Sequence, residues 1–203
     1  MNVLQKAFRA GSSLLKTKAS RAGRLIALGM VGQPAWTPRR FEDLAKESYE
    51  KNAVAYRAIA EISKCAGSVP FQLFQMQKGG EKIEIPFHPL LDLLRRPNPL
   101  QSQAALMQAV IGFFLIAGNT YIERVGPRGQ RPALELWTKR PDRMKIIVGT
   151  RGIPKAYSFE ASGGKVFWPV GPLRGESNIL HVKSFHPLDD WYGMSAVQAA
   201  AYS

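Results

Sequence analysis

Cysteine is nearly absent: Cys65 is the one thiol in 203 residues. That excludes an internal disulfide framework and favours a reducing compartment. Acidic residues are missing from the first forty positions, where Lys6, Arg9, Lys16, Lys18, Arg21, Arg24, Arg39 and Arg40 stand unopposed. Long apolar runs are missing as well. The longest, Ala104 to Gly118, contains Gln108 and falls short of the roughly 20 apolar residues of a spanning helix, so no membrane span is expected. No continuous apolar region with a small-residue cleavage site follows the basic start, so no secretory signal is read there.

Catalytic signatures are equally scarce. No phosphate loop of the form G-x-x-x-x-G-K-S/T occurs; Gly163-Gly164-Lys165 lacks its first glycine and its final hydroxyl and reads as a hairpin turn. No G-x-S-x-G elbow is found. The spacings of zinc fingers, basic zippers and RNA-recognition motifs are also missing.

What is present is charge and pattern. The formal net charge is +13, and 20 of the 28 basic residues and all 15 acidic ones lie beyond Arg40. The chain therefore divides into a basic arm and linker, residues 1–40, and a nearly balanced body, residues 41–203. In the arm, Leu4, Phe8 and Leu15 share a helical face, giving a weak basic amphipathic pattern that also imitates a transit peptide. Lys6, Arg9, Lys16, Lys18, Arg21 and Arg24 are its candidate contacts to a polyanion, either nucleic acid or an anionic membrane surface. A solvated tail is the plain alternative. The linker follows as Gly29 to Pro38, "GMVGQPAWTP".

The body begins near Phe41. In "NAVAYRAIAEISKCAGSVP", Asn52 is placed to cap a helix and Gly67 to stop it. Val54, Ala58, Ile62 and Cys65 form the stripe expected to face the core, with Arg57, Glu61 and Lys64 on another side. "VPFQLFQMQ", Gly79-Gly80 and "KIEI" predict a hairpin. "HPLLDLLRR" predicts a short helix with Leu90, Leu91 and Leu94 inward, ended by Pro97 and Pro99, which lack N–H groups and disfavour helical geometry before them. Ser102 caps the next helix, which runs to about Gly118, is apolar nearly all round and should be central. Six β-rich runs follow, "NTYIERV", "ALELW", "RMKIIV", "KAYSFE", "KVFWPV" and "NILHVKSF", separated by turn residues. They predict a meandering, mostly antiparallel sheet carrying packed helices, an α+β fold. A last helix begins near Met194, so the domain reads as incomplete.

Candidate chemistry is thin. His181, His186, Asp189 and Asp190 bear nitrogen and oxygen donors, but their spacing matches no metal-binding pattern, and a loop histidine explains them better. Adjacent Asp189 and Asp190 point apart in extended backbone and make a poor acid–base pair. Trp36, Trp137, Trp168 and Trp191 could stack on bases, but belong more naturally to a sheet core or an interface. Catalytic, cofactor and metal residues are therefore assigned to none.

The order of segments nevertheless resembles the portal protein family of tailed double-stranded-DNA bacteriophages and gene transfer agents. The resemblance is carried by "YEKNAVAYRAIAEISKCAGSVPFQLF", "HPLLDLLRRPNPLQS", "FFLIAGNTYIERV", "LWTKRPDRMKII" and "ILHVKSFHPLDDWYGMSAVQAA", in family order from about Tyr49 to Ala201. It implies a non-enzymatic structural subunit of a homo-oligomeric ring, usually of twelve copies, in the virion at one capsid vertex. Double-stranded DNA is packaged and ejected through such a ring. The implied partners are further copies of the chain, the major capsid protein, the terminase large subunit and a head–tail connector, with assembly in the bacterial host cytoplasm. The matched part corresponds to the peripheral wing, and family members run to about twice this length. Arg95, Arg96, Pro97, Asn98 and Pro99 become a rigid elbow whose arginines are available to a neighbouring subunit. Two other readings stay open: a basic nucleic-acid- or membrane-surface-binding α+β protein unrelated to capsids, and a hydrolase using His181, His186 and Asp189.

Overall fold

A computed structural model describes residues 41–127, 133–149, 153–161, 163–171 and 175–200. All lie in the unit Arg40–Ser203. The basic arm, its linker and Trp36 fall outside the described residues.

Helix α1 (Phe41–Leu44) continues into a π-helical turn (Ala45–Glu50). Helix α2 (Ala53–Ser68) starts where Asn52 predicts, its side chain accepting from the N–H groups of Val54 and Ala55 at 3.1 Å. Its inward face differs from the expectation. Val54, Ile62 and Cys65 are exposed, and Ile59, Ala60, Ser63 and Gly67 are buried instead. The face that packs on a neighbouring helix sets three small residues beside Ile59. Gly67 is not a stop: a Cβ there would sit 2.8 Å from the Ala104 carbonyl oxygen, so it is the point where two helices touch.

Strands β1 (Phe74–Met76) and β2 (Lys82–Glu84) form the expected antiparallel hairpin. Helix α3 (Pro89–Arg95) buries Leu91, half-buries Leu94 and leaves Leu90 exposed. Its cap is His88, whose Nδ1 accepts from Leu90 N–H at 3.1 Å. Helix α4 (Gln103–Ala117) is capped by Ser102 and closed by Gly118 in the left-handed conformation, φ 68°. It lies against α2 and buries Leu106, Val110 and Ile116 but leaves Ala104, Ala105 and Gln108 exposed, so it is less fully buried than its apolar sequence predicts.

All strand pairs are antiparallel, and the α+β architecture stands. Beyond the hairpin, the strands divide into two three-stranded sheets. In one, β3 (Asn119–Val125) is central between β4 (Glu135–Lys139) and β8 (Ile179–Lys183). In the other, β5 (Met144–Ile147), β6 (Ala156–Ala161) and β7 (Gly164–Pro169) follow in order. Tyr121, Met144, Tyr157, Trp168 and Ile179 form the core between these sheets. A second core joins Leu44, Ile59 and Ile116. The final helix, α5 (Ala196–Ala200), is opened by Ser195, whose hydroxyl accepts from the N–H groups of Val197 and Gln198.

Candidate functional site

The elbow is built from backbone outward. Helix α3 ends when Arg96 N–H bonds Asp92 O at 3.1 Å, and the chain turns at Pro97, which is fully buried. The Pro97 carbonyl accepts from Leu136 N–H at 2.7 Å, and Asn98 Nδ2 donates to Leu136 O at 2.9 Å. Together they take up both backbone groups of one β4 residue and so cover that edge of the sheet. Asn98 also donates to Gln101 Oε1 at 2.9 Å and accepts from Leu100 N–H at 2.9 Å. Asn98 is only 3% exposed, so its own amide cannot turn to water. Arg95 and Arg96 point outward; Arg95 makes a long 3.9 Å contact with Asp92, exposed enough to contribute little.

Asn98→Ala removes the bonds to the Leu136 carbonyl, the Gln101 side chain and the Leu100 N–H. The expected cost is about 2 kcal/mol, from the hydrogen bonds lost by a buried amide. Arg96→Ala should change stability by less than about 0.5 kcal/mol, as exposed substitutions do. Urea midpoints of the two variants check this, and equal midpoints would remove Asn98 as the pin of the elbow.

A second polar cluster sits where α4, β3, β8 and the segment before α5 meet. Asn119, 6% exposed, opens β3. Its Nδ2 donates to Ala117 O at 2.8 Å and Gly193 O at 3.2 Å. Its Oδ1 accepts from Gly193 N–H at 2.8 Å and lies 3.0 Å from His181 Nε2. Because that oxygen is an acceptor, His181 carries its proton on Nε2. Ser184 N–H adds a bond to Gly118 O at 2.9 Å, and Ser184 Oγ donates to Met194 O. Gly193 is required here, since a Cβ would lie 2.6 Å from Ser184 N and 2.8 Å from Ser184 Oγ.

His181 stacks on Tyr121, ring centres 4.4 Å apart, and meets Tyr157 edge-on. Burial, reinforced by Lys183, holds its pKa down at about 4 instead of 6.5. Burial likewise pushes the Tyr121 and Tyr157 phenols up. Since folded His181 resists protonation, its contribution is whole above pH 6.5 and is lost as pH falls toward 4. The expected loss is about 3 kcal/mol. His181→Phe, which keeps an aromatic ring on Tyr121, should flatten that part of the pH profile in denaturant titrations at pH 7 and pH 4.

Glu123 connects the two sheets: it pairs with Lys139 at 2.7 Å and accepts from Trp168 Nε1 at 3.0 Å. On the far face of the second sheet, Glu160 is bracketed by Lys145 and Lys165 at 2.8 and 2.9 Å, which hold its carboxyl down at about 2.

The structure keeps the sequence candidates apart. His181 belongs to the Asn119 cluster. His186 Nδ1 accepts from Leu188 N–H at 3.1 Å, and Asp189 Oδ1 accepts from Trp191 and Tyr192 N–H, so both organise one turn. The Asp190 carbonyl accepts from Lys183 Nζ. Among the described residues no three potential ligands converge on a metal position, and no helix is long and apolar enough to cross a membrane. Trp168 is buried, while Trp137 and Trp191 are half-buried. The Asn119 cluster was missed by sequence reasoning; its one local sign was a polar residue directly after a helix-ending glycine.

These features define a scaffold: the described buried polar groups fix chain direction at an elbow and a junction. The phage portal protein family model matches residues 53–203, and the chain belongs to that family. Among solved structures, it is similar to a chain in the neck of an empty GTA particle computed with C6 symmetry. That match has 37% identity and a TM-score of 0.68, and covers 88% of this chain and 45% of the other. It is similar too to a chain in the neck of a native GTA particle computed with C12 symmetry, at 36% identity and a TM-score of 0.67, covering 88% and 44%. A chain in the virion of a native gene transfer agent particle gives 36% and 0.67, covering 90% and 46%. Uncharacterized proteins of Rickettsia bellii (strain RML369-C) and Rickettsia felis (strain ATCC VR-1525 / URRWXCal2) are each 30% identical over 155 residues, 76% of this chain and 38% of theirs. The chain thus spans less than half the length of the relatives it matches.

Proposed function

We propose that this chain is the wing-like part of a portal subunit, one of a ring of about twelve at a capsid vertex through which double-stranded DNA is packaged and ejected. The observation that carries the proposal is the 36% identity to a chain in a neck computed with C12 symmetry. A twelvefold axis requires copies of a chain to pack side by side. In this reading residues 41–203 form the wing-like domain, and residues 1–40 are the basic arm and linker. Arg95 and Arg96 stand on a pinned elbow, available to a neighbour. The major capsid protein, terminase large subunit and head–tail connector are the protein partners, met in the bacterial host cytoplasm and retained in the virion. The role is structural and without catalysis. Lys6, Arg9, Lys16, Lys18, Arg21 and Arg24 contact packaged DNA or an inner capsid surface.

Native mass spectrometry of the product made from its natural start to its natural stop codon tests the ring. A closed ring of about twelve protomers supports the reading. A stable monomer overturns it in favour of a polyanion-binding protein. Deleting residues 1–38 should weaken DNA association, most strongly at low salt.

A further inference from the structure

A ring of more than two copies cannot close with one self-complementary patch; each subunit must present two different surfaces that fit each other. Open β edges are natural candidates, because their unpaired backbone groups invite another strand. The described strands differ sharply in how their edges are treated. Pro97 and Asn98 cover β4 at Leu136. Tyr192 Oη accepts from Ile146 N–H at 3.1 Å and so occupies β5. Edge strand β7 ends at Pro169, which has no N–H to offer a neighbouring strand.

Two edges have no such protection among the described residues. The first is β8. Ser184 N–H and Arg124 N–H bond across to Gly118 O and Asn178 O, so the alternation turns the backbone groups of Ile179, His181 and Lys183 away from β3. Only Ile179 N–H finds a partner there, in Ser177 Oγ at 3.2 Å. Leu180 and Val182 stand exposed on the same strand, at 59% and 40%. The second is the β1–β2 hairpin, which pairs with no further strand and exposes Phe74, Met76 and Ile83. A lone two-stranded hairpin is marginal in water and gains stability from further strands or a packed face. The hairpin carries Lys78 and Lys82 beside Glu81 and Glu84 and is neutral overall, so it can approach Lys183 of β8 without net repulsion.

We infer that the β1–β2 hairpin of one copy docks on the open edge of β8 in the next, extending the β4–β3–β8 sheet across the subunit boundary. Backbone hydrogen bonds supply the pairing, and Phe74, Met76, Leu180 and Val182 supply the apolar contact. The inference rests on the ring reading above but assigns that ring a specific surface.

The test uses the natural-length protein with Cys65 and any further native cysteine changed to serine as the background. Cysteines are placed at Phe74, Met76 or Lys82 and combined with one at Leu180 or Val182. Oxidation should give a covalent ladder of multimers on a non-reducing gel from at least one pair, and none from any single-cysteine protein. Independently, Leu180→Lys and Phe74→Lys change exposed side chains, so the monomers should keep the parent's circular dichroism. Each should lower the fraction in rings at least tenfold at equal concentration. Rings in normal yield from both lysine variants, with no ladder from any pair, would overturn the docking and leave the ring reading intact. A parent protein that forms no rings would overturn both.

Discussion

Gly118→Ala is expected to destabilise the domain by about 3–5 kcal/mol, through two effects that other glycines separate. The residue ends α4 with φ 68°, where an L side chain is strained. An added Cβ would also lie 2.5 Å from the Met194 carbonyl oxygen and 2.7 Å from that of Gly193. Gly80 shares the positive φ, 83°, but has open space around it, so Gly80→Ala should show only the conformational cost, about 1 kcal/mol. Gly79 has neither constraint, and its alanine variant should be nearly neutral. Urea unfolding of the three variants should rank them Gly79, Gly80, Gly118 in rising cost. Equal costs at Gly80 and Gly118 would mean that the junction relaxes freely and does not hold α5 against α4.

Much of the chain's local grammar was legible before folding. Asn52 and Ser102 cap the helices they were expected to cap, because capping needs only one side-chain oxygen and the N–H groups two or three positions on. Gly118, Pro97 and the Gly79-Gly80 turn act through the backbone of their own neighbourhood, so they too could be placed. The hidden parts depend on distant partners. Helix α2 carries apolar residues on more than one side, and only the approach of Ala104 to Gly67 shows which side is inward. The return of β8 to β3, instead of onward from β7, leaves no trace in strand periodicity.

The same division applies to the candidate site. Pro97 and Asn98 announced a turn, but not that the turn would seal the edge of β4 through Leu136, 38 positions from Asn98. His181 looked like a possible ligand because its chemistry is visible in the sequence while its surroundings are not. Stacked on Tyr121 and bonded to Asn119, it is a neutral packing residue of the junction. Exposure is equally invisible: Leu180 and Val182 read as ordinary strand residues until the position of β8 at an edge leaves them uncovered.

Asn119→Ala should cost about 3–5 kcal/mol, because it leaves unpaired the Ala117 carbonyl, both backbone groups of Gly193 and the His181 Nε2 proton. A large loss alone would not separate a specific lock from general core damage, so Asn119→Asp is the sharper probe. The carboxylate keeps the acceptor that Gly193 N–H and His181 use, but cannot donate to Ala117 O or Gly193 O. At pH 7 its second oxygen would be a buried charge facing the Ala117 and Gly193 carbonyl oxygens, so it should cost at least as much as alanine. It also places a negative charge 3.0 Å from the imidazole, which favours protonated His181 and raises its pKa. The stability that the parent loses between pH 6.5 and 4 should then be largely retained, since the folded state can now accept that proton. Histidine NMR titration reads the pKa directly, and denaturant titrations across the same range read its consequence. An unchanged His181 pKa in the aspartate variant would show that Asn119 Oδ1 does not hold the ring. The junction would then have to be assigned to Ser184 and the two glycines alone, and Ser184→Ala would become the costlier substitution.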